Sequence, residues 1–467
     1  ILWSAPIDYR HIDRMIESAN DGFKIWKKTK LQERINFLKK YQEEIKKISD
    51  ELAYAIAIEV GKPLWEAKTE VSAIINKIDV TISDSLPRVE DKTIENILPE
   101  TTGHITYKAL GPCFIIGPFN FPCHLANGQI LSALITGNSV IFKPSEKTFY
   151  SAQLMSNAFH QAGFPKGVFN FLLGDGEAAR RILKDKSIKG VYFTGSKDVG
   201  LQILQNTYQD LGKLVCLELG GKNTTIIDQD SFNDFTLAEL IKSCFWTSGQ
   251  RCTSTALVAI HKKIAQEFIE KFHQLTKKLV IDHPTEYDQV PFMGPLVDKK
   301  SMDTYLSFMS MAKREGIEEI MRGKQLERKF PGYYVSPSIH LAKGLDSSSH
   351  FLQSEIFGPN CTFIPYENIE EAVNIANSTE YGLACSVFTQ DKNKFDFCLE
   401  EIETGLLNWN RSTVGASARL PFGGVKNSGN HRPAALSTIE SCVYPLSSLH
   451  LLKQDASELE KIIGLSI

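Results

Sequence analysis

Pro112-Cys-Phe-Ile-Ile-Gly-Pro-Phe-Asn-Phe-Pro122 is the stretch on which the reading of the fold turns. Cys113 to Ile116 is apolar throughout, too short for a helix and suited to a buried strand, and Gly117-Pro118 ends it. The pattern repeats downstream. Ser139-Val-Ile-Phe142 stops at Lys143-Pro144, Val168 to Leu173 at Gly174-Asp-Gly176, and Val191-Tyr-Phe193 at Thr194-Gly-Ser196. Amphipathic stretches separate these runs, which predicts βαβ units and a parallel sheet. Ligands of such sheets bind outside the carboxyl ends of the strands. Each of these ends carries Gly, Pro, Ser or a charge.

Outward from this core, residues 10 to 75 read as helical, with Ile35, Leu38, Tyr41 and Ile45 at helical spacing among Lys and Glu. Thr102 to Leu110 alternates and is β-prone, with Pro99 and Gly103 near its start, so a strand or hairpin is expected there. From about 225 to 435 the α/β alternation returns with its own strands, among them Leu383 to Phe388. The tail after Ser441 has two short apolar pieces, Leu446 to Leu452 and Ile462 to Ile467, suited to pairing with a neighbouring subunit.

A chain of 467 residues has room for two or three domains, each with its own core. The formal net charge of −3 supplies no basic field for nucleic acid or an anionic membrane. Gly, Pro, Asn and Lys interrupt every apolar run before it reaches the length of a membrane span. The nine cysteines are odd in number and contain no C-x-x-C pair. Neither a disulfide framework nor a metal site is therefore expected, and reduced thiols in the cytoplasm are.

One cysteine stands apart. Cys252 closes Thr247-Ser-Gly-Gln-Arg-Cys252, a polar, glycine-punctuated segment rather than an apolar periodic one. A reactive thiol needs a lowered pKa or an adjacent base. Arg251 offers a positive charge, and residues 247 to 250 read as a loop entering a helix, whose N–H groups favour a thiolate. Glu218 precedes Gly220-Gly221, two residues without Cβ that allow close approach of other groups. A partly desolvated carboxylate there suits a general base; a paired structural carboxylate is the equal alternative. Asn120, between Pro118 and Pro122, reads either as an oxyanion donor or as an Asx-turn residue. Two glycine-rich strand-to-helix turns, Gly174-Asp-Gly-Glu-Ala-Ala179 and Thr194-Gly-Ser-Lys-Asp-Val-Gly200, are each able to seat a pyrophosphate.

Together these segments resemble the aldehyde dehydrogenase superfamily. The resemblance runs in family order over nearly the whole chain: Gly117-Pro-Phe-Asn-Phe-Pro122, Phe142-Lys-Pro-Ser-Glu146, Phe193-Thr-Gly-Ser196, Glu218-Leu-Gly-Gly-Lys222, Gly249-Gln-Arg-Cys252, Glu355-Ile-Phe-Gly-Pro359 and Pro421-Phe-Gly-Gly424. It implies an α/β fold with two parallel-sheet domains of Rossmann-like type and a small β oligomerisation element. On that pattern, residues 1–90 and 110–222 form an NAD-binding domain and 223–435 a catalytic domain. Residues 91–109 and 436–467 join subunits as a homodimer or dimer of dimers.

The resemblance also implies roles. Cys252 attacks an aldehyde, the Asn120 amide and the Cys252 N–H hold the oxyanion, and Glu218 activates the water that hydrolyses a thioester. Lys143 and Glu146 hold the adenosine ribose of NAD; Gly195, Ser196 and Gly200 form the pyrophosphate turn; Glu355 meets the nicotinamide ribose, with Phe357 beside it. Asn408-Trp-Asn410, Ser428-Gly-Asn-His-Arg-Pro433 and the Asn120 to His124 loop with Asn127-Gly128 look like the branch whose substrate is a succinylated glutamate semialdehyde, an oxidation of arginine catabolism. Such an aldehyde carries two carboxylates, for which His124, Arg251, Arg411, Arg419, His431 and Arg432 are the available partners. The chain departs from that branch at Cys123, Ala126 and Arg411-Ser-Thr-Val414, beside the expected substrate entrance. Another semialdehyde therefore stays open. So does a cysteine hydrolase, which would need no dinucleotide and gives no reason for Lys143, Glu146 or Glu355.

Overall fold

The computed structural model describes residues 4, 6–286, 288–453 and 463–464. Five parallel strands form one sheet, in the order Phe169–Phe171, Val140–Lys143, Cys113–Ile116, Gly190–Thr194, Leu214–Glu218. Cys113–Ile116 is central, and Cys113, Phe114 and Ile115 are fully buried. A strand covered on both faces has no solvated side, which is why it is apolar at every position. The chain leaves this strand toward one edge, then returns to its other side at Gly190–Thr194. The strand order therefore reverses between these two strands, and their carboxyl ends are where such a sheet places its ligand crevice.

A second sheet of seven strands runs in the order Glu318–Met321, Ser338–Leu341, Asn360–Tyr366, Thr255–His261, Asn223–Ile227, Ala384–Phe388, Leu406–Trp409. Its first strand is antiparallel and the others are parallel. Only Leu219-Gly-Gly-Lys222 separates the last strand of the first sheet from Asn223–Ile227 in the second. The two sheets thus meet at these glycines, with the carboxyl ends of the first facing the amino ends of the second. The carboxyl-end rule predicts one half of that junction. Cys252 and Glu355 come from the other half, each a few residues ahead of a strand start.

The helical expectation for the first segment holds as Ile12–Trp26, Leu31–Lys47, Ser49–Val60 and Leu64–Val80. Leu38, Tyr41 and Ile45 are fully buried, while Ile35 packs on the core partly covered. The helix Leu64–Val80 buries Glu66, Glu70 and Lys77 in the same stripe as Val71, Ile74 and Ile78. Charges in a buried stripe need partners; Lys77 donates to Ala435 O at 2.8 Å, and the partners of Glu66 and Glu70 lie at the site described below.

Lys92–Leu98, Thr101–Ala109 and Val443–Leu451 form a separate antiparallel sheet with Thr101–Ala109 in the middle. The β-prone segment near 100 is thus one arm of a hairpin, and the first apolar piece of the tail is its third strand. Most of the second piece, 462–467, lies outside the described residues. No helix among the described residues is long and apolar enough to cross a membrane.

Candidate active site

Cys252 follows a backbone turn rather than a helix start. Thr247, Ser248 and Gly249 all adopt left-handed conformations, with φ of 55°, 56° and 70°. For Gly249 this is free of strain, and a Cβ there would lie 2.3 Å from the Gly358 carbonyl oxygen. For Thr247 and Ser248 it costs on the order of 1–3 kcal/mol each and persists only where the surroundings over-determine it. They do. The Ser248 hydroxyl donates to Gly294 O at 2.8 Å, and Gln250 Nε2 donates to Thr247 O at 3.1 Å. Both the Thr247 N–H (3.1 Å) and its hydroxyl donate to Glu66.

The chain then enters the strand Thr255–His261, so this segment opens no helix at the thiol. Arg251 does not face the thiol. Its Nη2 pairs with Glu66 Oε1 at 2.6 Å, its Nε donates to Thr247 Oγ1 at 2.8 Å, and its guanidinium lies over the rings of Phe121 and Trp246. Of the two expected causes of a lowered thiol pKa, the helix start is absent, and the Arg251 charge still pulls the thiol down but is outweighed. Cys252 is partly exposed, but burial of its thiol, and after that the charge of Glu218, push it well above the ordinary cysteine range. The thiol needs a base.

Glu218 is the carboxylate beside the thiol. It ends the strand Leu214–Glu218 and is fully buried, yet neither carboxylate oxygen has a hydrogen-bond partner. Burial pushes its pKa up to about 7; the nearby Cys252 thiol and Thr194 hydroxyl pull it partly back without completing a bond. An unpartnered buried carboxylate is costly and rare. One that is half ionised near neutral pH and beside a thiol is equipped to accept a proton from that thiol or from a water.

Asn120 joins the same point. Its Oδ1 accepts the Phe121 N–H at 3.1 Å, and its Nδ2 donates to Gln250 O at 2.9 Å. A side-chain amide has two N–H bonds, so one remains for a ligand. Among the described residues the Cys252 N–H has no hydrogen-bond partner either. Two unpaired donors near a thiol can hold an oxyanion. Asn223 fixes the Cys252 carbonyl, donating to it at 2.7 Å and to Ser254 O at 2.9 Å. The glycine pair is explained by contact: a Cβ on Gly220 would lie 2.1 Å from Glu355 Oε2, and one on Gly221 would lie 2.8 Å from the Cys252 carbonyl oxygen.

Glu355 accepts the Gly221 N–H at 3.0 Å, and burial pushes its carboxyl up to about 7. Phe357, two residues on, meets Phe119 edge to face. Lys143 ends the strand Val140–Lys143, and its Nζ reaches Glu146 Oε1 at 2.7 Å and Pro144 O at 3.0 Å. Its side chain is 4% exposed against 49% for Glu146. Gly195 donates to Glu218 O at 3.1 Å, and Ser196 caps the helix Lys197–Thr207 through a long 3.5 Å bond from Val199 N. Gly200 packs this helix on Leu219, which a Cβ would approach to 2.9 Å. The competing turn at Gly174 is closed by its own anion. Asp175 accepts from the N–H groups of Glu177 and Ala178 and from the Tyr9 hydroxyl. A carboxylate already sits where a phosphate would go.

The expected substrate partners divide. His124 starts a helix four residues after Asn120, and its buried Nδ1 has no partner. His431 and Arg432 are exposed with φ of 52° and 47°, on a loop tied to the Glu218 strand through Asn430 Oδ1 and Leu217 N at 2.7 Å. Arg411 is exposed, two residues before Thr413, whose hydroxyl meets that of Thr255 at 3.0 Å. Arg419 pairs with Asp84 at 3.6 Å. Arg251 is already paired with Glu66, its side chain 11% exposed. Sequence reasoning passed over Glu66, Asn223 and Thr194. Glu66 had a signal, an acid in an apolar helical stripe; Asn223, one residue past the Glu218 to Lys222 motif, had none.

The family model "Aldehyde dehydrogenase family" matches residues 3–445, and the chain belongs to that family. A curated N-succinylglutamate 5-semialdehyde dehydrogenase from Novosphingobium aromaticivorans is 33% identical over 446 residues, 96% of this chain and 93% of that protein. One of the same name from Legionella pneumophila is 35% identical over 435 residues, 92% of this chain and 86% of its own length. Among solved structures, a point mutant of betaine aldehyde dehydrogenase from Staphylococcus aureus in complex with NAD+ superposes with a TM-score of 0.90 at 26% identity, over 98% of this chain and 93% of that one.

Proposed function

We propose that this chain oxidises N-succinyl-L-glutamate 5-semialdehyde to N-succinyl-L-glutamate with NAD+, by covalent catalysis on Cys252. The convergence of Cys252, the unpartnered Glu218 carboxylate and the Asn120 amide at one junction carries the chemistry. The likeness to relatives of that name over almost the whole chain supports the substrate.

The residues present fit a nicotinamide dinucleotide. The crevice at the strand-order reversal offers a helix N-terminus after Gly195-Ser196, a half-exposed Glu146, and Glu355 seated against Gly220. Bound there, NAD+ supplies the hydride acceptor. The protein does the rest. Glu218 takes the Cys252 proton, and Sγ adds to the aldehyde carbon. The Asn120 Nδ2–H and the Cys252 N–H hold the oxygen as an anion, which makes the carbon a hydride donor where a neutral aldehyde is not. Loss of the hydride leaves a thioester on Sγ. With its proton passed to solvent, Glu218 accepts one from a water whose oxygen attacks the thioester carbon, and the Cys252 thiolate leaves.

Glu146 accepts hydrogen bonds from ribose hydroxyls and repels a 2′-phosphate. We expect kcat/KM for NAD+ to exceed that for NADP+ by at least about tenfold, roughly 1.4 kcal/mol. Equal use of the two in steady-state kinetics would reverse the assignment. Across a panel of aldehydes, succinylglutamate semialdehyde should have the highest kcat/KM. If short aliphatic aldehydes do as well, the substrate is wrong and the chemistry stands.

The family-type oligomerisation element, 91–109 with 436–467, is proposed here to join two copies. Ile94, Ile97, Leu98, Tyr444, Leu446, Leu449 and Leu451 are exposed on its three-stranded sheet. Leu201, Leu204, Tyr208 and Leu211 make a second exposed apolar stripe along the helix Lys197–Thr207 and the turn after it. Light scattering should give a dimer or a dimer of dimers; a monodisperse monomer refutes it. All nine cysteines are free and eight are buried, which supports a cytoplasmic setting.

A further inference from the structure

We propose that Glu66 is a positioning residue for Cys252, acting through Arg251 and Thr247, and that the helix Leu64–Val80 sets the nucleophile and the oxyanion amide in register. The inference rests on the reading of Cys252 as the nucleophile.

Three contacts converge on Glu66, and a fourth joins its two partners. Its carboxylate takes Arg251 Nη2 at 2.6 Å, the Thr247 N–H at 3.1 Å and the Thr247 hydroxyl, and Arg251 Nε closes the ring on Thr247 Oγ1 at 2.8 Å. Thr247 is the β-branched residue held in a left-handed conformation, five positions ahead of Cys252. Without an over-determining partner that conformation is disfavoured. Burial works against the Glu66 charge, but Arg251 and then Lys62 outweigh it and keep the carboxyl below its ordinary range.

One helical turn further along the same face, Glu70 does the equivalent work for the other half of the site. Its Oε1 accepts the N–H groups of Cys123 at 3.2 Å and His124 at 3.1 Å, and its Oε2 is held by Lys62 at 2.8 Å. Those two N–H groups end the loop that carries Asn120. The two halves are also tied directly, through Asn120 Nδ2 and Gln250 O. A single rigid helix therefore references both the thiol and its oxyanion donor.

Stability alone does not explain this arrangement. Buried ion pairs contribute little net stability over well-packed apolar residues, because desolvation opposes their attraction. Their geometry is exact in a way apolar packing is not, and a displacement of about 1 Å at a reacting group lowers rates about 10²-fold.

The test uses the full chain carrying Glu66→Gln and, separately, Thr247→Val, which keeps the side-chain volume and removes one hydroxyl. Three quantities are measured: kcat against both KM values with NAD+ and the aldehyde, the rate of Cys252 alkylation by iodoacetamide without substrate, and the melting temperature. We expect kcat to fall about 10- to 100-fold with both KM values within about threefold, and the alkylation rate to shift by a comparable factor. A lowered melting temperature with kcat and alkylation at parental values means a structural role only, and overturns the proposal. If Glu66→Gln fails to fold, Thr247→Val decides alone by the same criteria. Alkylation reads the thiol whatever the natural aldehyde is. Loss of this inference and loss of the proposed function are therefore distinguishable, the latter by Cys252→Ala.

Discussion

Cys252→Ala is expected to lower NADH formation by on the order of 10⁴-fold or more while leaving the fold intact. The size of the effect follows from what the thiol does. Hydride departs readily only from a carbon bearing an oxyanion, and at neutral pH the covalent adduct is what creates one. Asn120 and the Cys252 N–H can stabilise that oxygen, but without Sγ there is no tetrahedral carbon for them to act on. Cys252→Ser should be nearly as inactive. A hydroxyl is harder to ionise than a thiol, and here burial already pushes even the thiol up. The measurements are steady-state NADH absorbance and a dinucleotide-binding titration of the same variants. Affinity for NAD+ should stay within about threefold of the parent, because the expected dinucleotide partners Lys143, Glu146 and Glu355 lie outside the Cys252 turn. If Cys252→Ala oxidised aldehydes at the parental rate, covalent catalysis here would be wrong.

The environment of that thiol marks where the sequence could be read and where it could not. The strand Cys113–Ile116 was legible because a strand covered on both faces has no polar alternation to hide it. Gly220 and Gly221 were legible because the absence of a Cβ has few uses, and here it admits Glu355 and the Cys252 carbonyl. The electrostatics of Cys252 were misread for two physical reasons. A Thr-Ser pair carries no local preference for left-handed backbone, so the segment reads as a loop leading into a helix where the structure has a strained turn into a strand. And the charge of Arg251 is answered by Glu66, 185 positions away, which no local pattern can join to it. The Gly174 and Gly195 turns were indistinguishable as strings. Only the Asp175 carboxylate over the first of them separates the two.

Glu218→Gln should divide the reaction in two. The variant keeps the shape of Glu218 and loses its ability to take a proton. With the base gone, the thiol must ionise by itself, so acylation slows and recovers as pH rises. Hydrolysis of the thioester has no substitute base. At about pH 9 a burst of NADH close to one per site should appear, followed by turnover on the order of 10²–10³-fold below the parent. A variant with parental steady-state turnover would exclude Glu218 as the water-activating base. The parent's own pH profile follows from the same carboxylate. With a pKa near 7, its basic form is lost as pH falls, so kcat should drop about tenfold per unit below about pH 7 and level off above it. Stability runs the other way. A solvent-exposed glutamate carboxyl has its ordinary value of 4.5, and burial in the folded chain raises it to about 7. Between those values the folded chain holds a proton that the unfolded chain has released, so this group's stabilising contribution is complete below pH 4.5 and lost as pH rises through 7. At pH 8 the parent carries a buried, unpartnered charge that Glu218→Gln does not. The inactive variant should therefore melt higher than the parent at pH 8, by on the order of 1–3 kcal/mol, and the gap should close toward pH 5. A base held without hydrogen-bond partners is free to take a proton from water, and the folded chain is less stable for it at the pH where it works.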